Sequence, residues 1–366
     1  MRTRLDIAMV APSMGILGGQ AVQAARLLAA WQHDPDVHAW LVPINPQPPR
    51  GFGWTTEIKY VRTIATQIFY WPLLVRELRK ADVVHVFSAS YFSFLLAPLP
   101  AVLIARLLGK PVVMNYRSGE APDHLQRSAI ARATLRSVEN AVPSRFLHDV
   151  FAGFGIRSEI IPNIVDVERF RFRRRERLAP RVLSTRNFET LYNLPCTLKA
   201  FRLLQDRYPE ATLTLVGGGS QDAAVRRMAE ELRLDHVTFA GRVAPEDMWR
   251  YYVEADIYLQ TPNIDNMPTS VLEAYASGCP VVATRAGGVP AILTDGVHGL
   301  LVPCDDHQLA AAAMLRLLED PALARGLADA AFATCAKYQW TSVRSQWLAL
   351  YRRLVRPEAL PAATTA

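Results

Sequence analysis

Short runs of apolar, β-branched residues alternate along the chain with stretches whose apolar positions recur at helical spacing. That alternation predicts a parallel sheet covered by helices on both faces, an α/β fold. In the first half the strand runs are Leu5 to Ala11, Val37 to Ile44, Val83 to Phe87, Pro111 to Tyr116 and Glu159 to Pro162. Helical stretches such as Gln20 to Trp31 and Ala129 to Asn140 separate them. After Pro162 the pattern gives way to NIVDVERFRFRRRERLAPR, charged, weakly periodic and ended by a proline, which reads as a linker at 166–180. A second series follows: Arg181 to Thr185, Ala211 to Val216, Val237 to Ala240, Ile257 to Gln260, Pro280 to Thr284 and Gly299 to Val302. The expected architecture is two Rossmann-like doubly wound domains, residues 1–165 and 181–340, facing a cleft where ligands of such sheets bind. Thr341 to Arg356 reads as an amphipathic helix with Trp347, Leu350 and Leu354 on one face, packing back on the N-terminal domain and followed by a tail to residue 366.

Length agrees with that division, because 366 residues exceed the usual size of one domain. Half of the residues are hydrophobic and a fifth charged, with no long biased tract or solenoid repeat, which excludes a disordered or fibrous chain. Cys196, Cys279, Cys304 and Cys335 are scattered, form no C-x-x-C pair and read as reduced core residues of a cytoplasmic protein. The N-terminal apolar stretch is too short for a secretory signal. Tyr91 to Leu108 is apolar, but Pro98, Pro100 and Arg106 interrupt it, so a buried helix pair is expected instead of a membrane span. A formal charge of +7 suits anionic partners: a nucleotide diphosphate, an anionic membrane surface or a nucleic acid.

The segment DNMPTSVLEAYASGCPVVAT, Asp265 to Thr284, carries the most chemistry. Pro268 suits a first helical turn, and the amides of Thr269 and Ser270 would then attract phosphate, with the polar pair Asp265-Asn266 just before them. Glu273 lies one turn on, where a carboxylate can accept two hydroxyl hydrogen bonds from a ribose. Taken alone, such a fragment is more often a plain helix cap with a surface carboxylate.

The same segment resembles the signature of the family 4 retaining glycosyltransferases of the GT-B fold, in which an acidic residue and a Glu eight positions later open a helix. VPSRFLHDVFAGFG with IIPNIVDVERF, LTLVGGGSQ and VTFAGRVAPEDM resemble further blocks of that family, so the likeness covers most of the chain. It implies that Asp265 contacts donor sugar hydroxyls and Glu273 the ribose, and that Gly217 to Gly219 and Arg242 surround the diphosphate and base. Arg186 matches the family's phosphate-binding Arg, whereas Leu191 stands where the family has Lys. Arg117, in NYRSGEAPDHL, occupies the position of a cleft His; it can stabilise charge but cannot act as a general base. The loop GILGGQ, with Gly18 and Gly19 at a helix start, would let backbone amides approach the donor's phosphate or an acceptor, and it corresponds to a Gly-Gly loop that in the family lines the catalytic cleft opposite the donor. The N-terminal domain is thereby the acceptor side and the C-terminal domain the donor side.

The activity so implied is transfer of a sugar, with retention and without metal or other cofactor, from a nucleotide diphosphate sugar to a glycan, lipid-linked or small-molecule acceptor. Scattered cysteines and the lack of a His or Cys cluster agree with a metal-free site. His85, Ser88 and Ser90 follow a strand and, with Glu120, are acceptor-side candidates, although a lone His at a strand end is more often structural. The Arg run from Arg169 to Arg181 is ordinarily a solvated segment. The sharper alternative is peripheral attraction to the inner face of an anionic membrane, at about 1 kcal/mol per basic residue, with Phe69-Tyr70-Trp71 as an interfacial anchor or a core cluster. A catalytically impaired scaffold of the same fold and a nucleotide-sugar epimerase are the competing functions; no nucleic acid partner is expected, for want of a binding motif.

Overall fold

The computed structural model describes residues 4–13, 19–47 and 59–355. They cluster into two compact units, one comprising residues up to Pro143, His148–Ile161 and the chain from Thr341 on, the other Ser144–Leu147 and Pro162–Trp340.

The first unit runs β1 (Leu5–Ala11), α1 (Gly19–Trp31), β2 (Val37–Pro43), α2 (Lys59–Leu78), β3 (Val83–Phe87), α3 (Tyr91–Leu96), α4 (Pro98–Leu107), β4 (Val112–Asn115), α5 (Ala121–Arg127), α6 (Ala129–Arg136), β5 (Glu139–Val142), α7 (Arg145–Gly153) and β6 (Glu159–Ile160). Its strands are all parallel in the order β2-β1-β3-β4-β5-β6. All residues of β3 and β4 are buried, as in a sheet covered on both faces. The sequence pattern merged β5 into the preceding helix. ENAV carries little β-branched character, and its place is fixed by Asn140, whose Nδ2 donates to the carbonyls of Leu135, Val138 and Arg157.

The apolar stretch from Tyr91 folds as the pair α3 and α4, broken at Pro98, with Leu103 and Leu107 exposed instead of buried. Among the described residues no helix is long and apolar enough to cross a membrane.

The second unit runs β7 (Arg181–Ser184), α8 (Leu194–Arg207), β8 (Thr212–Val216), α9 (Asp222–Glu231), β9 (Val237–Gly241), α10 (Met248–Glu254), β10 (Ile257–Gln260), α11 (Thr269–Ala276), β11 (Val281–Thr284), α12 (Val289–Ile292), β12 (Leu300–Val302), α13 (His307–Glu319) and α14 (Pro321–Thr334). The sheet order is β12-β11-β10-β7-β8-β9. Counted from β7, this is the 3-2-1-4-5-6 order of a doubly wound sheet, and the winding reverses between β7 and β10. Side chains close the helix starts: Asn193, in left-handed geometry, accepts from the Cys196 amide, Asp306 from Leu309 and Asp320 from Leu323.

The stretch at 166–180 exposes Glu168, Arg169, Arg171, Arg174, Glu176 and Arg177, as its charge suggested, but is anchored at particular residues. Phe170 is fully buried, and Arg175, 7% exposed, donates to the carbonyls of Tyr252, Ala255, Ser277 and Gly278. Those carbonyls close the C-termini of α10 and α11. Asp256 gathers Arg173, Arg175 and Arg181 beside them.

The last helix, α15 (Trp340–Val355), buries Val343, Trp347, Leu348, Leu350 and Tyr351, while Leu354 stays partly exposed. Trp347 and Tyr351 pack in the first unit, and Arg344 bridges Asp34 and Asp36. Cys196, Cys279 and Cys335 are buried free thiols; Cys304, expected in the core, is exposed.

Candidate active site

Parallel sheets bind ligands beyond their carboxyl ends, where neighbouring loops diverge at the reversal of winding. In the second unit that place is bounded by the segments after β7, β8 and β10. Arg186 follows β7, and its Nη2 donates to Asp265 Oδ2 at 2.7 Å while Nη1 donates to Ser270 Oγ at 3.3 Å. Its guanidinium lies 4.0 Å from the centre of the Tyr192 ring. Burial acts against its charge, but Asp265 and the surrounding tyrosines raise its pKa above the ordinary value. Burial raises the Asp265 carboxyl, opposed by Arg186 and the Asn266 amide.

Asp265 sits on a loop that tolerates no bulk behind it. A Cβ on Gly287, whose φ is +49°, would lie 2.1 Å from the Asp265 carbonyl oxygen, and one on Gly288 2.1 Å from that of Asn266. Asn266 is buried and accepts from the Ser144 hydroxyl, which clusters with this unit. Pro268 is not inside the helix as expected but precedes it in extended geometry, so that Thr269 opens α11. The amides of Thr269 and Ser270 thus fall in the first turn, where no helical acceptor exists. Glu273, one turn on, is 7% exposed and accepts a 3.1 Å bond from the Tyr252 hydroxyl on Oε2.

A polar chain unforeseen from sequence runs beneath these residues. Thr185 Oγ1 lies 2.8 Å from the Tyr252 hydroxyl and 3.2 Å from that of Tyr258; Tyr258 and Ser270 both donate to Gln260 Oε1. Glu273 and Arg186 are therefore joined through one buried network. Arg186 Nε and Gln260 Nε2 are buried in it without a hydrogen-bond acceptor among the described residues. Such donors cost about 1–3 kcal/mol each. The available signal was modest: hydroxyl-tipped aromatics and one amide within otherwise apolar strand and helix runs.

The glycine turn after β8 is a close approach of two backbones. A Cβ on Gly217 (φ +147°) would meet the Arg186 carbonyl at 2.3 Å, and one on Gly219 would meet the Phe188 carbonyl and the Glu189 carboxylate at 2.5 Å. Gly218 faces the exposed Arg242, whose Nε would lie 3.5 Å from a Cβ there. Glu189 holds the turn by accepting from the amide and hydroxyl of Ser220, contacts that keep its carboxyl low with help from Arg242 and against burial. Leu191 supplies no charge, but its carbonyl accepts from the amides of Asn263 and Ile264, next to Asp265.

The remaining candidates lie in the first unit. Gly18 lies outside the described residues, and Gly19 is the exposed first residue of α1. Ser88 is buried at the end of β3 and accepts from the Arg117 amide. Glu120 stands at the start of α5, its amide donating to Ser118 Oγ. Arg117 Nη1 donates to Asn115 Oδ1, and burial pushes its pKa down to about 9.

His85 is a correction to the acceptor-side assignment. It is fully buried, stacked on Phe87 and tilted against Trp347, and bonded through both ring nitrogens, so it offers no substrate contact. Burial, with the Arg117 charge nearby, lowers its pKa to about 3. Among the described residues no cluster of His, Cys, Asp and Glu is arranged to hold a metal ion. The only Asp-x-Asp spacing, Asp34-Pro35-Asp36, is taken up by Arg344.

Two family models match the chain: "Glycosyltransferase Family 4" over residues 17–169 and "Glycosyl transferases group 1" over residues 167–334. A D-inositol 3-phosphate glycosyltransferase of Corynebacterium urealyticum is 35% identical over 45% of this chain and 41% of its own. A GDP-mannose-dependent alpha-(1-6)-phosphatidylinositol monomannoside mannosyltransferase of Mycolicibacterium smegmatis is 30% identical over 58% of this chain and 62% of its own. The matched region thus spans less than two thirds of either relative. In fold, the chain is similar to the Anabaena protein HepE solved in complex with UDP-glucose, with TM-score 0.72, 18% identity and coverage of 95% of this chain and 99% of that one.

Proposed function

The chain belongs to the family 4 glycosyltransferases of the GT-B fold, and from that premise we propose that it transfers a sugar from a nucleoside diphosphate donor, with retention and without a metal ion, to a hydroxyl acceptor. The observation that carries this reading is the convergence of Arg186, Asp265, Ser270 and Glu273 where the second sheet reverses its winding. In the proposed site the diphosphate lies at the start of α11, and charge developing on its departing oxygen is met by the Arg186 guanidinium and the first-turn amides. Gly217 to Gly219 admit the diphosphate close to backbone, and Arg242 flanks the base. Glu273 accepts from the ribose, with Tyr252 fixing one carboxylate oxygen. Asp265 and Asn266 lie on the side of the donor sugar. Ser88 and Glu120 serve the acceptor side, where Arg117 adds catalytic stabilisation of charge, and the amide of Gly19 at the start of α1 approaches the donor's phosphate or the acceptor.

The acceptor class we propose is a glycan, lipid-linked or small-molecule polyol. Relatives named for inositol phosphate and phosphatidylinositol acceptors support a polar headgroup. Peripheral attachment to the inner face of an anionic membrane is supported by Ile64, Ile68 and Trp71, exposed at i, i+4 and i+7 along α2, with exposed Arg79 beyond them and a net positive charge left where Arg76 and Lys80 share Glu77. Within the Arg-rich stretch at 169–181, Arg173, Arg175 and Arg181 are engaged with Asp256, which leaves the exposed Arg169, Arg171, Arg174 and Arg177 as the part that could add to this attraction.

Thermal-shift measurements against UDP-, GDP-, ADP- and TDP-sugars test the donor assignment, since a ligand of the native state raises its apparent stability. One nucleotide class should stabilise the protein and lose that effect in Glu273→Gln. No response to any donor would reject the reading. Sedimentation with phosphatidylglycerol vesicles, set against phosphatidylcholine, tests the membrane contact; binding unchanged in an Ile64→Ser, Ile68→Ser, Trp71→Ser variant would discard it.

A further inference from the structure

We propose that Asn115, His85 and Tyr351 are positioning residues for Arg117, so that α15 sets the orientation of this guanidinium. The functional half of the inference rests on the acceptor-side role assigned to Arg117 above.

The chain of bonds has only one direction. An arginine side chain donates and never accepts, so the Asn115 atom 3.0 Å from Arg117 Nη1 is the amide oxygen. The other end of that amide, Nδ2, then donates to His85 Nε2 at 3.0 Å. Nε2 is therefore bare, and the imidazole proton resides on Nδ1, which donates to the Tyr351 hydroxyl at 2.7 Å. Each step fixes the next. Moving the imidazole proton to Nε2 sets two donors face to face at Asn115. Flipping the amide to relieve that turns its NH2 group toward a guanidinium that cannot accept.

Packing locks the same arrangement. The His85 ring is stacked on Phe87 at 5.1 Å and lies 4.6 Å from Trp347. The Arg117 guanidinium lies 5.5 Å from the centre of that same Phe87 ring, and its backbone amide is held by Ser88. Burial keeps His85 neutral, so the relay carries no second positive charge toward Arg117. Two of the four partners of the imidazole, Trp347 and Tyr351, come from α15. Loss of the Tyr351 hydroxyl removes the acceptor that favours Nδ1–H and lets the amide and the guanidinium reorient.

The test uses the full chain, with selectively labelled histidine and arginine for NMR and hydrolysis of UDP-glucose and GDP-mannose as turnover probes. The wild type should show an Nδ1–H tautomer for His85 and slow rotation of the Arg117 guanidinium. Tyr351→Phe, which keeps the ring contacts, should speed that rotation and lower kcat about fivefold or more at unchanged donor KM. Asn115→Asp, which turns the partner of Nε2 into an acceptor, should move the proton to Nε2, and it provides the readout if Tyr351→Phe does not fold. An Nε2–H tautomer in the wild type, or guanidinium rotation indifferent to Tyr351→Phe, would overturn the relay. Wild-type turnover in Arg117→Gln would overturn the functional reading beneath it instead, whereas an impaired Arg117→Gln beside a kinetically normal Tyr351→Phe would overturn the control exerted by α15.

Discussion

Arg186 meets a carboxylate, a hydroxyl and an aromatic face at once, a combination that a flexible ammonium cannot reproduce. Arg186→Ala is expected to lower kcat/KM about 10²–10³-fold, the usual cost of losing one donor to a developing oxyanion. Arg186→Lys should recover little of it, and steady-state kinetics on the identified donor decide. Gly287 gives a sharper test of backbone geometry. Gly287→Ala places a methyl group 2.1 Å from the Asp265 carbonyl at a φ of +49°, and should cost about 1–3 kcal/mol in urea unfolding while weakening donor affinity. A variant as stable as the wild type would show that the Asp265 loop yields freely. The motif in the sequence brings Asp265, Ser270 and Glu273 onto one loop and helix. It gives no hint of Thr185, Tyr252, Tyr258 and Gln260, because their polar tips meet only after separate strands pair.

At the scale of elements, helix placement depends as much on what closes a C-terminus as on which face is apolar. Arg175 satisfies carbonyls at the ends of both α10 and α11, and these helices carry Tyr252 and Glu273. Arg175→Met should therefore lose about 3 kcal/mol or more of stability, read as a fall in Tm, because buried acceptors are left without a donor. Donor binding should weaken in the same variant. The sequence presented Arg175 as one charge in a basic run, and burial alone separates it from Arg174, which pairs with Asp329 at the surface. Strand and helix alternation was readable for most elements, since periodicity of 2 or 3.6 is a local property. β5 escaped because a side-chain amide, more than strand propensity, fixes its position.

At the scale of the whole molecule, the docking of α15 depends on charge. Burial raises the Asp34 carboxyl, but Arg344 and the amides of Asp36 and Val37 outweigh it and hold the pKa below its ordinary value. A carboxyl lower in the folded state than in the unfolded one contributes stability that is fully present above the unfolded value of about 3.9 and is lost as pH falls through the folded one. The Asp34 contribution should thus be flat from pH 7 to about 5 and be lost below pH 4, beneath the earlier decline that the buried neutral His85 imposes once pH falls under the unfolded imidazole value of about 6.5, so Asp34→Asn should flatten only the part of the profile below about pH 5. Equal acid profiles for the two proteins would contradict this. Removing residues 341–366 should expose Trp31, Leu348-facing surface and His85, and leave the first unit prone to proteolysis while donor binding to the second persists.

The first unit takes its final layer from residues that come after the second unit in the chain. On the ribosome, then, the amino-terminal sheet emerges early but must wait, its Trp31 and His85 surface uncovered, until translation has delivered everything up to Tyr351. The second unit, nearly continuous in sequence, can settle first. A nascent chain arrested before Thr341 would present that waiting surface to chaperones and proteases, which makes the interval between the two events the most vulnerable stage of this protein's biogenesis.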